Sequence, residues 1–325
     1  LRSTLSSTSK PDKELLINRT SDLLSSNGFF EMKSNSLTPA SYYDTDDKDP
    51  AAIRLFNPLS QDLALMRQNL LFGGLEAIVY NINRKHADLL LYEFGNCYYL
   101  DREELNADPL EKYRESLHMA IFLSGKVRAG NWAQKAEDAS FYHLKTYVDL
   151  VLERLGIDPL ALESKASENP NFEEAMIYLH HGTPLVEFGK VAKLKVEQFD
   201  IKQQVFAAEF DWDLVLEALA EHRILFRPLP RFQVVNRDFS LMLDKQVTFE
   251  ALRTLAFKSE KKLLKNVTLF DVYEGDKIEK GKKSYALTFT LLDKDKTLTD
   301  KQIDKAMLRI AKAFETELGA SVRGM

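Results

Sequence analysis

Between Thr299 and Gly319 the chain is committed to one local structure, and that structure needs a sheet beside it. Thr299 and Gln302 occupy the two ends of a capping box, in which each side chain satisfies a backbone N–H that the first turn leaves open. Ile303, Met307, Ile310, Phe314 and Leu318 then recur at helical spacing along one side, and Gly319 supplies the left-handed residue that ends the helix. A helix with one apolar stripe must bury it. The flanking segments offer the partner, with strands predicted at Asp238–Leu243, about Lys265–Tyr273, Ser284–Leu292 and the short Ser321–Arg323. Thr248 caps a second helix carrying Phe249, Leu252, Leu255 and Ala256. The charged stretch from Glu274-Gly275 to Lys283 is the turn between the two middle strands.

The order strand–helix–strand–strand–helix–strand is that of a ferredoxin-like βαββαβ sandwich, with both helices on one face of the sheet. Alternation along the strands separates the two faces. Phe239, Leu241, Leu243, Phe270, Val272, Tyr285, Leu287, Phe289 and Val322 point toward the helices, and Ser240, Asp271, Tyr273, Ser284, Ala286, Thr288 and Arg323 point away. The second face is flat, polar and open, with one aromatic ring and one guanidinium, which is what a single-stranded RNA loop requires. The charge distribution points the same way. Residues 229–325 hold 19 lysines and arginines against 14 acidic residues, a net of +5, whereas the rest hold 25 against 35, a net of −10. A basic module joined to an acidic one suggests a polyanionic partner, although a lysine-rich solvated surface would give the same count.

Upstream the pattern is longer and more mixed. Asp12–Asn27 reads as a helix with Leu15, Leu16, Leu23 and Leu24 on one stripe, followed by a strand at Phe29–Ser36 and an Asp-rich loop at Tyr42–Pro50. Leu71, Leu75, Ile78 and Ile82 mark a second helix, whose start is expected after the unfavourable Gly73-Gly74 pair. Leu89–Phe94 and Cys97–Leu100 read as two strands joined by a primed turn at Gly95-Asn96. A strand through Leu117, Met119, Ile121 and Leu123 stops at Gly125, and Ser140 opens a helix that Gly156 closes. Short strands run from Ala175 to about Phe210, and a short helix covers Trp212–His222. The expected fold class is therefore α+β. A mostly antiparallel sheet with packed helices spans residues 1–228, and the sandwich spans 229–325, with Pro228 and Pro230 stiffening the link.

Several function classes are disfavoured. No run of 18 or more apolar residues exists to cross a membrane. Cys97 is the only cysteine, so an internal disulfide and a cysteine-based zinc site are excluded, and a reducing cytoplasm is expected. His180-His181 is a poor chelator because neighbours on a strand face opposite ways, and no metal site is expected. No Gly-x-Gly pair and no Walker-type phosphate loop occur. The chain begins at Leu1 rather than Met, which suggests a piece of something longer.

Specific strings carry a resemblance. Ser26-Asn27-Gly28-Phe29-Phe30-Glu31, Leu55-Phe56-Asn57-Pro58-Leu59-Ser60, Met66-Arg67-Gln68-Asn69-Leu70-Leu71, Leu91-Tyr92-Glu93-Phe94-Gly95 and Phe141-Tyr142-His143-Leu144-Lys145 resemble, in order, signatures of bacterial phenylalanyl-tRNA synthetase β subunits. Phe270-Asp271-Val272-Tyr273-Glu274-Gly275, Lys283-Ser284-Tyr285-Ala286, Leu298-Thr299-Asp300 and Ser321-Val322-Arg323-Gly324 are similar to that family's anticodon-binding domain. Tyr178-Leu179-His180-His181-Gly182-Thr183 departs from it, lacking the Pro-Gly-Arg the family usually has there. The resemblance implies a class II synthetase-like domain that has lost its site: Leu91-Tyr92-Glu93 has no arginine beside the glutamate, and the glycine-rich third motif is absent. It implies partnership with a catalytic α subunit in an (αβ)₂ heterotetramer, through a surface involving Leu15 to Glu31, although most of those apolar residues are expected to be core. It also implies ATP and magnesium used by the holoenzyme but no cofactor here, phenylalanine tRNA as partner, no DNA, and neither editing nor aminoacylation by this fragment alone.

The resemblance narrows the open face to Asp271, Tyr273, Ser284 and Arg323 as contacts to the anticodon loop. Tyr273 would stack on a base, Asp271 would accept from a base edge, Ser284 would add a polar contact, and Arg323 would meet base or phosphate. Lys280, Lys282 and Lys283 would attract phosphate in a salt-dependent way. The bland counterparts are a strand-end tyrosine and an Asp271–Arg323 structural pair. A ferredoxin-like regulatory module binding a small ligand on a non-enzymatic scaffold is the alternative. A generic RNA-recognition domain fits less well, because the third strand places Ser, Ala and Thr on the open face.

Overall fold

The structure is a computed structural model that describes residues 11–43, 51–100, 112–221, 229–275 and 278–323. The chain divides into two compact units, Leu1–Ile224 and Leu225–Met325. Pro228, His222 and most of the Asp-rich loop lie outside the described residues. Among the described residues no helix is long and apolar enough to cross a membrane.

The first unit runs α1 (Lys13–Ser26), β1 (Phe30–Glu31), β2 (Leu37–Thr38), β3 (Leu65–Met66), α2 (Leu71–Ile82), β4 (Leu89–Leu100), β5 (Tyr113–Ser124), β6 (Lys126–Arg128), β7 (Glu137–Asp138), α3 (Phe141–Leu155), β8 (Glu163–Ala166), β9 (Phe172–His180), β10 (Thr183–Val191), α4 (Lys193–Gln198), β11 (Val205–Asp211) and α5 (Trp212–Glu221). Its main sheet has seven strands in the order β1-β4-β5-β11-β10-β9-β8, antiparallel except where β1 joins β4. The strand expected over Phe29–Ser36 shrinks to the two residues of β1. Side chains alternate across this sheet, so it builds two cores. Tyr92, Phe94, Met119, Ile121 and Phe210 pack with Leu24 of α1, Val148 of α3 and Val215 of α5. Leu89, Leu91, Cys97, Phe122 and Ala207 pack with Leu75 and Ile78 of α2 and Val196 of α4 on the other side.

Two expectations fail here for one reason, close approach. The pair Gly95-Asn96 makes no turn: β4 is a single strand of 12 residues, paired with β5 along its whole length. A Cβ on Gly95 would lie 2.1 Å from the Arg67 guanidinium, so the glycine makes room for a side chain above the sheet. Gly73 and Gly74 likewise sit inside α2, not before it. A Cβ on Gly74 would lie 2.1 Å from the Phe122 ring, so the glycine lets the helix settle onto β5. The local helix penalty of about 1 kcal/mol per glycine is offset by tertiary packing.

The second unit runs β12 (Val235–Asp244), α6 (Phe249–Ser259), β13 (Leu264–Tyr273), β14 (Lys282–Leu291), α7 (Asp300–Leu318) and β15 (Ser321–Arg323). Its strands are ordered β13-β14-β12-β15 and are antiparallel throughout, the expected ferredoxin-like sandwich. The caps read from the sequence are present. Thr248 Oγ1 accepts from Ala251 N at 3.2 Å, Thr299 and Gln302 close their box, and Gly319 is left-handed at φ +60°. Phe239, Leu241, Leu287, Phe289 and Leu291 pack against Leu252, Leu255, Ile310 and Phe314.

Phe270 and Val272 do not join that core. They are 60% and 50% exposed. A β-bulge lies between Leu269, opposite Leu287, and Asp271, opposite Ala286, so Phe270 is the extra residue and belongs to neither regular face. Leu269 takes the core place instead. Val272 pairs with Tyr285 on the core side but remains half exposed.

Candidate nucleic-acid interface

The pairing register arranges the open face of the second unit in rows across the strands. One row is Tyr273, Ser284, Met242 and Ser321; the next is Asp271, Ala286, Ser240 and Arg323. Tyr273 and Ser284 are thus direct cross-strand neighbours, with Asp271 one row further in on the same edge strand. Asp271 and Arg323 share a row but stand three strand spacings apart, about 14 Å between Cα atoms. That distance argues against the two being a structural pair.

The deeper rows are closed among themselves. Thr288 Oγ1 donates to Asp238 Oδ1 at 2.6 Å, and Thr290 Oγ1 donates to Asn236 Oδ1 at 3.1 Å. Unmet polar capacity therefore concentrates in the two outer rows, where Asp271 is exposed and Tyr273 is 43% exposed. A Cβ on Gly275 would meet the Tyr273 hydroxyl at 2.6 Å. This glycine, which strand alternation could not single out, lies against the phenol where a side chain would not fit. The bulge adds Phe270 as an exposed aromatic beside Asp271.

The three lysines divide. Lys280 is exposed. Lys282 lies on the open side but pairs with Glu279 at 2.8 Å, and that hydrogen bond raises its pKa. Lys283 does not fit the expected role: it is buried, its Nζ donates to the Tyr285 hydroxyl at 2.8 Å, and it lies 4.5 Å from the Tyr285 ring centre. Alternation puts residue 283 on the helix side, so its charge supports a core tyrosine and faces no open-side ligand.

In the first unit the structure gathers a polar cluster that sequence spacing did not reveal. Arg67, just after β3, reaches over Gly95 to the buried Glu93 at 3.0 Å. Its Nε donates to Asn96 O at 2.8 Å and its Nη1 to Ser34 Oγ at 2.8 Å, while Ser34 donates to Glu93 through both N and Oγ. An arginine thus stands beside Glu93, supplied from outside the strand, and its Nε and Nη1 donate within the protein.

On the same sheet face, Cys97, His118 and Glu209 bring ligand-type atoms within 4.8 Å of one another, a grouping that the single cysteine does not lead one to expect from sequence. The cluster is closed on itself. Glu209 accepts from His118 Nδ1 at 2.7 Å and from Leu70 N at the start of α2 at 3.2 Å. Burial pushes the Cys97 thiol far up, with the Glu209 charge adding to it. Burial also pulls His118 toward its neutral form, but the hydrogen bond to Glu209 and the charges of Glu209, Asp211 and Asp213 outweigh it, so its pKa stands above 6.5. Protonated His118 therefore stabilises the fold. The contribution is complete below the unfolded value of about 6.5 and is lost as pH rises through the raised folded value. His118→Gln is expected to flatten this limb of the stability–pH curve in urea titrations; an unchanged slope as pH rises above about 6.5 would remove His118 as its source.

Together the two units define a class: α+β chains that combine a large, mostly antiparallel sheet carrying helices on both faces with a ferredoxin-like sandwich whose outer face is open and polar. Residues 2–212 match the family described as phenylalanyl tRNA synthetase beta chain CLM domain, and residues 230–323 match the ferredoxin-fold anticodon binding domain. The chain belongs to the phenylalanyl tRNA synthetase beta chain family. It is 42% identical over 328 residues to the phenylalanine–tRNA ligase beta subunit of Bacteroides fragilis, covering 99% of this chain and 40% of that one. To the subunit of the same name from Bacteroides thetaiotaomicron it is 43% identical over 328 residues, with the same coverage. That of Porphyromonas gingivalis is 42% identical over 300 residues, covering 91% and 37%. The chain thus spans about 40% of the length of the curated relatives it matches.

Proposed function

We propose that the chain is part of the beta subunit of a phenylalanine–tRNA ligase. In this reading the second unit binds the anticodon stem-loop of phenylalanine tRNA, and the first unit is a catalytically inactive scaffold for the catalytic α subunit. The observation that carries the reading is the open sheet face: exposed Tyr273 and Asp271 lie in its two outer rows, beside Ser284 and in the row of Arg323, while helices cover only the opposite face. Tyr273 offers a stacking surface, Asp271 an acceptor for a base edge, Ser284 a polar contact and Arg323 a cation for base or phosphate. Lys280 adds phosphate attraction, Lys282 does so less because it is paired, and Lys283 is set aside. The small-ligand regulatory alternative is not favoured, since the second unit matches an anticodon-binding family.

For the first unit, exposed apolar side chains support a partner. Phe30, in the α1–β1 surface, is exposed, and Phe56, Leu59 and Trp132 stand almost fully out of the fold. An (αβ)₂ assembly would cover such residues, with ATP and magnesium handled by the α subunit. A cytoplasmic location agrees with the single reduced cysteine.

The test is binding of phenylalanine tRNA to the purified chain at low and moderate salt, with a tRNA of different anticodon as control. The wild type is expected to prefer the cognate tRNA, and Tyr273→Ala with Arg323→Ala to lose that preference. Equal binding of both tRNAs by both proteins, abolished by salt, would reduce the second unit to a basic surface.

A further inference from the structure

A cavity of about 330 Å³ lies in the first unit above β4, β5 and β11, beneath the segment that leads into α2. It is within the size range of small-molecule sites. One side is apolar, formed by Leu71, Phe172, Leu185 and Leu214. The other carries Glu187, Glu209 and Asp211 with His118, and among the described residues no lysine or arginine lines it. Even with His118 protonated, three carboxylates face one imidazolium. Such a wall repels phosphates and carboxylates and attracts a cation.

The carboxylates are not equally occupied. Glu209 holds His118 and Leu70 N, and Glu187 holds Ser167 and Asn169. Asp211 accepts only through Oδ1, from Ser116 Oγ at 3.3 Å and from Leu214 N at 3.1 Å. Its Oδ2 makes a long ion pair to His118 Nε2 at 3.9 Å and, among the described residues, no hydrogen bond. Asn69 lines the same cavity, and its side-chain oxygen is buried with no hydrogen-bond partner. A carboxylate oxygen without a hydrogen bond beside an apolar pocket calls for a donor-rich cationic head on an apolar body, and an ammonium has three donors and no acceptor. A metal ion fits less well, because the thiol and Glu209 are already engaged away from Oδ2.

We propose that this cavity binds a small primary ammonium with a short apolar body, a ligand unrelated to tRNA. Asp211 is the anionic anchor, and Leu71, Phe172, Leu185 and Leu214 hold the apolar part.

Calorimetry on the chain with isoamylammonium chloride, sodium isovalerate and zinc chloride tests it. Isoamylammonium should bind saturably at one site, whereas isovalerate, the same body with a carboxylate, should not. Asp211→Asn keeps acceptors for Leu214 N and Ser116 Oγ but removes the charge, and should weaken binding at least about tenfold, equivalent to roughly 1.4 kcal/mol. Leu214→Trp should fill the cavity and abolish binding with unchanged circular dichroism. The proposal is overturned if isoamylammonium shows no saturable binding or binds Asp211→Asn as tightly as wild type. It is overturned equally if only zinc binds, at one site that Cys97→Ser removes.

Discussion

Arg67→Ala is expected to lower the unfolding free energy of the first unit by about 3–5 kcal/mol, because it strands a buried charge. Glu93 is wholly buried on the face of β4 that carries α2, and Arg67 is its cationic partner at 3.0 Å. The substitution removes that partner, and the hydrogen bonds to Ser34 and Asn96 with it, in a place water does not reach. Both tryptophans, Trp132 and Trp212, lie in the first unit, so their fluorescence follows its unfolding in urea separately from the second unit. Replacing both members of the pair, Arg67→Met with Glu93→Leu, is expected to recover most of the loss, since no lone charge is left. A loss below about 1 kcal/mol in Arg67→Ala would show that Ser34 alone sustains Glu93.

The same constellation shows where sequence reading reaches and where it stops. Helix boundaries were legible at Ser140, Gly156, Thr248, Thr299 and Gly319 because caps are local chemistry, settled within four residues. The fold class and the sandwich order followed from those caps and from strand alternation. Gly95-Asn96 was misread because a glycine in a turn and a glycine beneath a distant guanidinium look alike along the chain. The alternation of Leu91, Glu93, Gly95 and Cys97 on one face was the available sign that the strand continues. Gly73-Gly74 was misread for the same reason, since the Phe122 ring it accommodates lies far away in sequence.

On the open face, Asp271 and Tyr273 were placed correctly even though Phe270 was assigned to the core. The bulge resets the alternation at Phe270, and residues 271 to 273 follow the new phase. A bulge leaves no reliable mark in a single sequence. The cluster of Cys97, His118 and Glu209 was beyond reach too, because β5 and β11 meet only in the folded sheet. Asp211, which gives the cavity its open acceptor, lies opposite His118 for the same topological reason.

Single substitutions on the second unit should separate specificity, charge and stability. Tyr273→Ala is expected to cost about 1–3 kcal/mol of tRNA binding, roughly 5- to 150-fold, through loss of one stacking contact, and to relax discrimination between anticodons. Lys280→Ala should weaken all tRNAs alike and reduce the slope of log affinity against log salt by about 1, because a phosphate contact carries no sequence information. Lys283→Ala should leave the salt slope and the anticodon preference where they are. Its ammonium is buried against Tyr285, so its removal instead costs stability, about 1–3 kcal/mol from the unpaired tyrosine hydroxyl. The three lysine and tyrosine variants, compared at two salt concentrations and two anticodons, therefore give three different signatures. If Lys283→Ala lowered the salt slope as Lys280→Ala does, the buried lysine would have to reach phosphate in the complex, and the division of the two sheet faces drawn from β14 would be wrong.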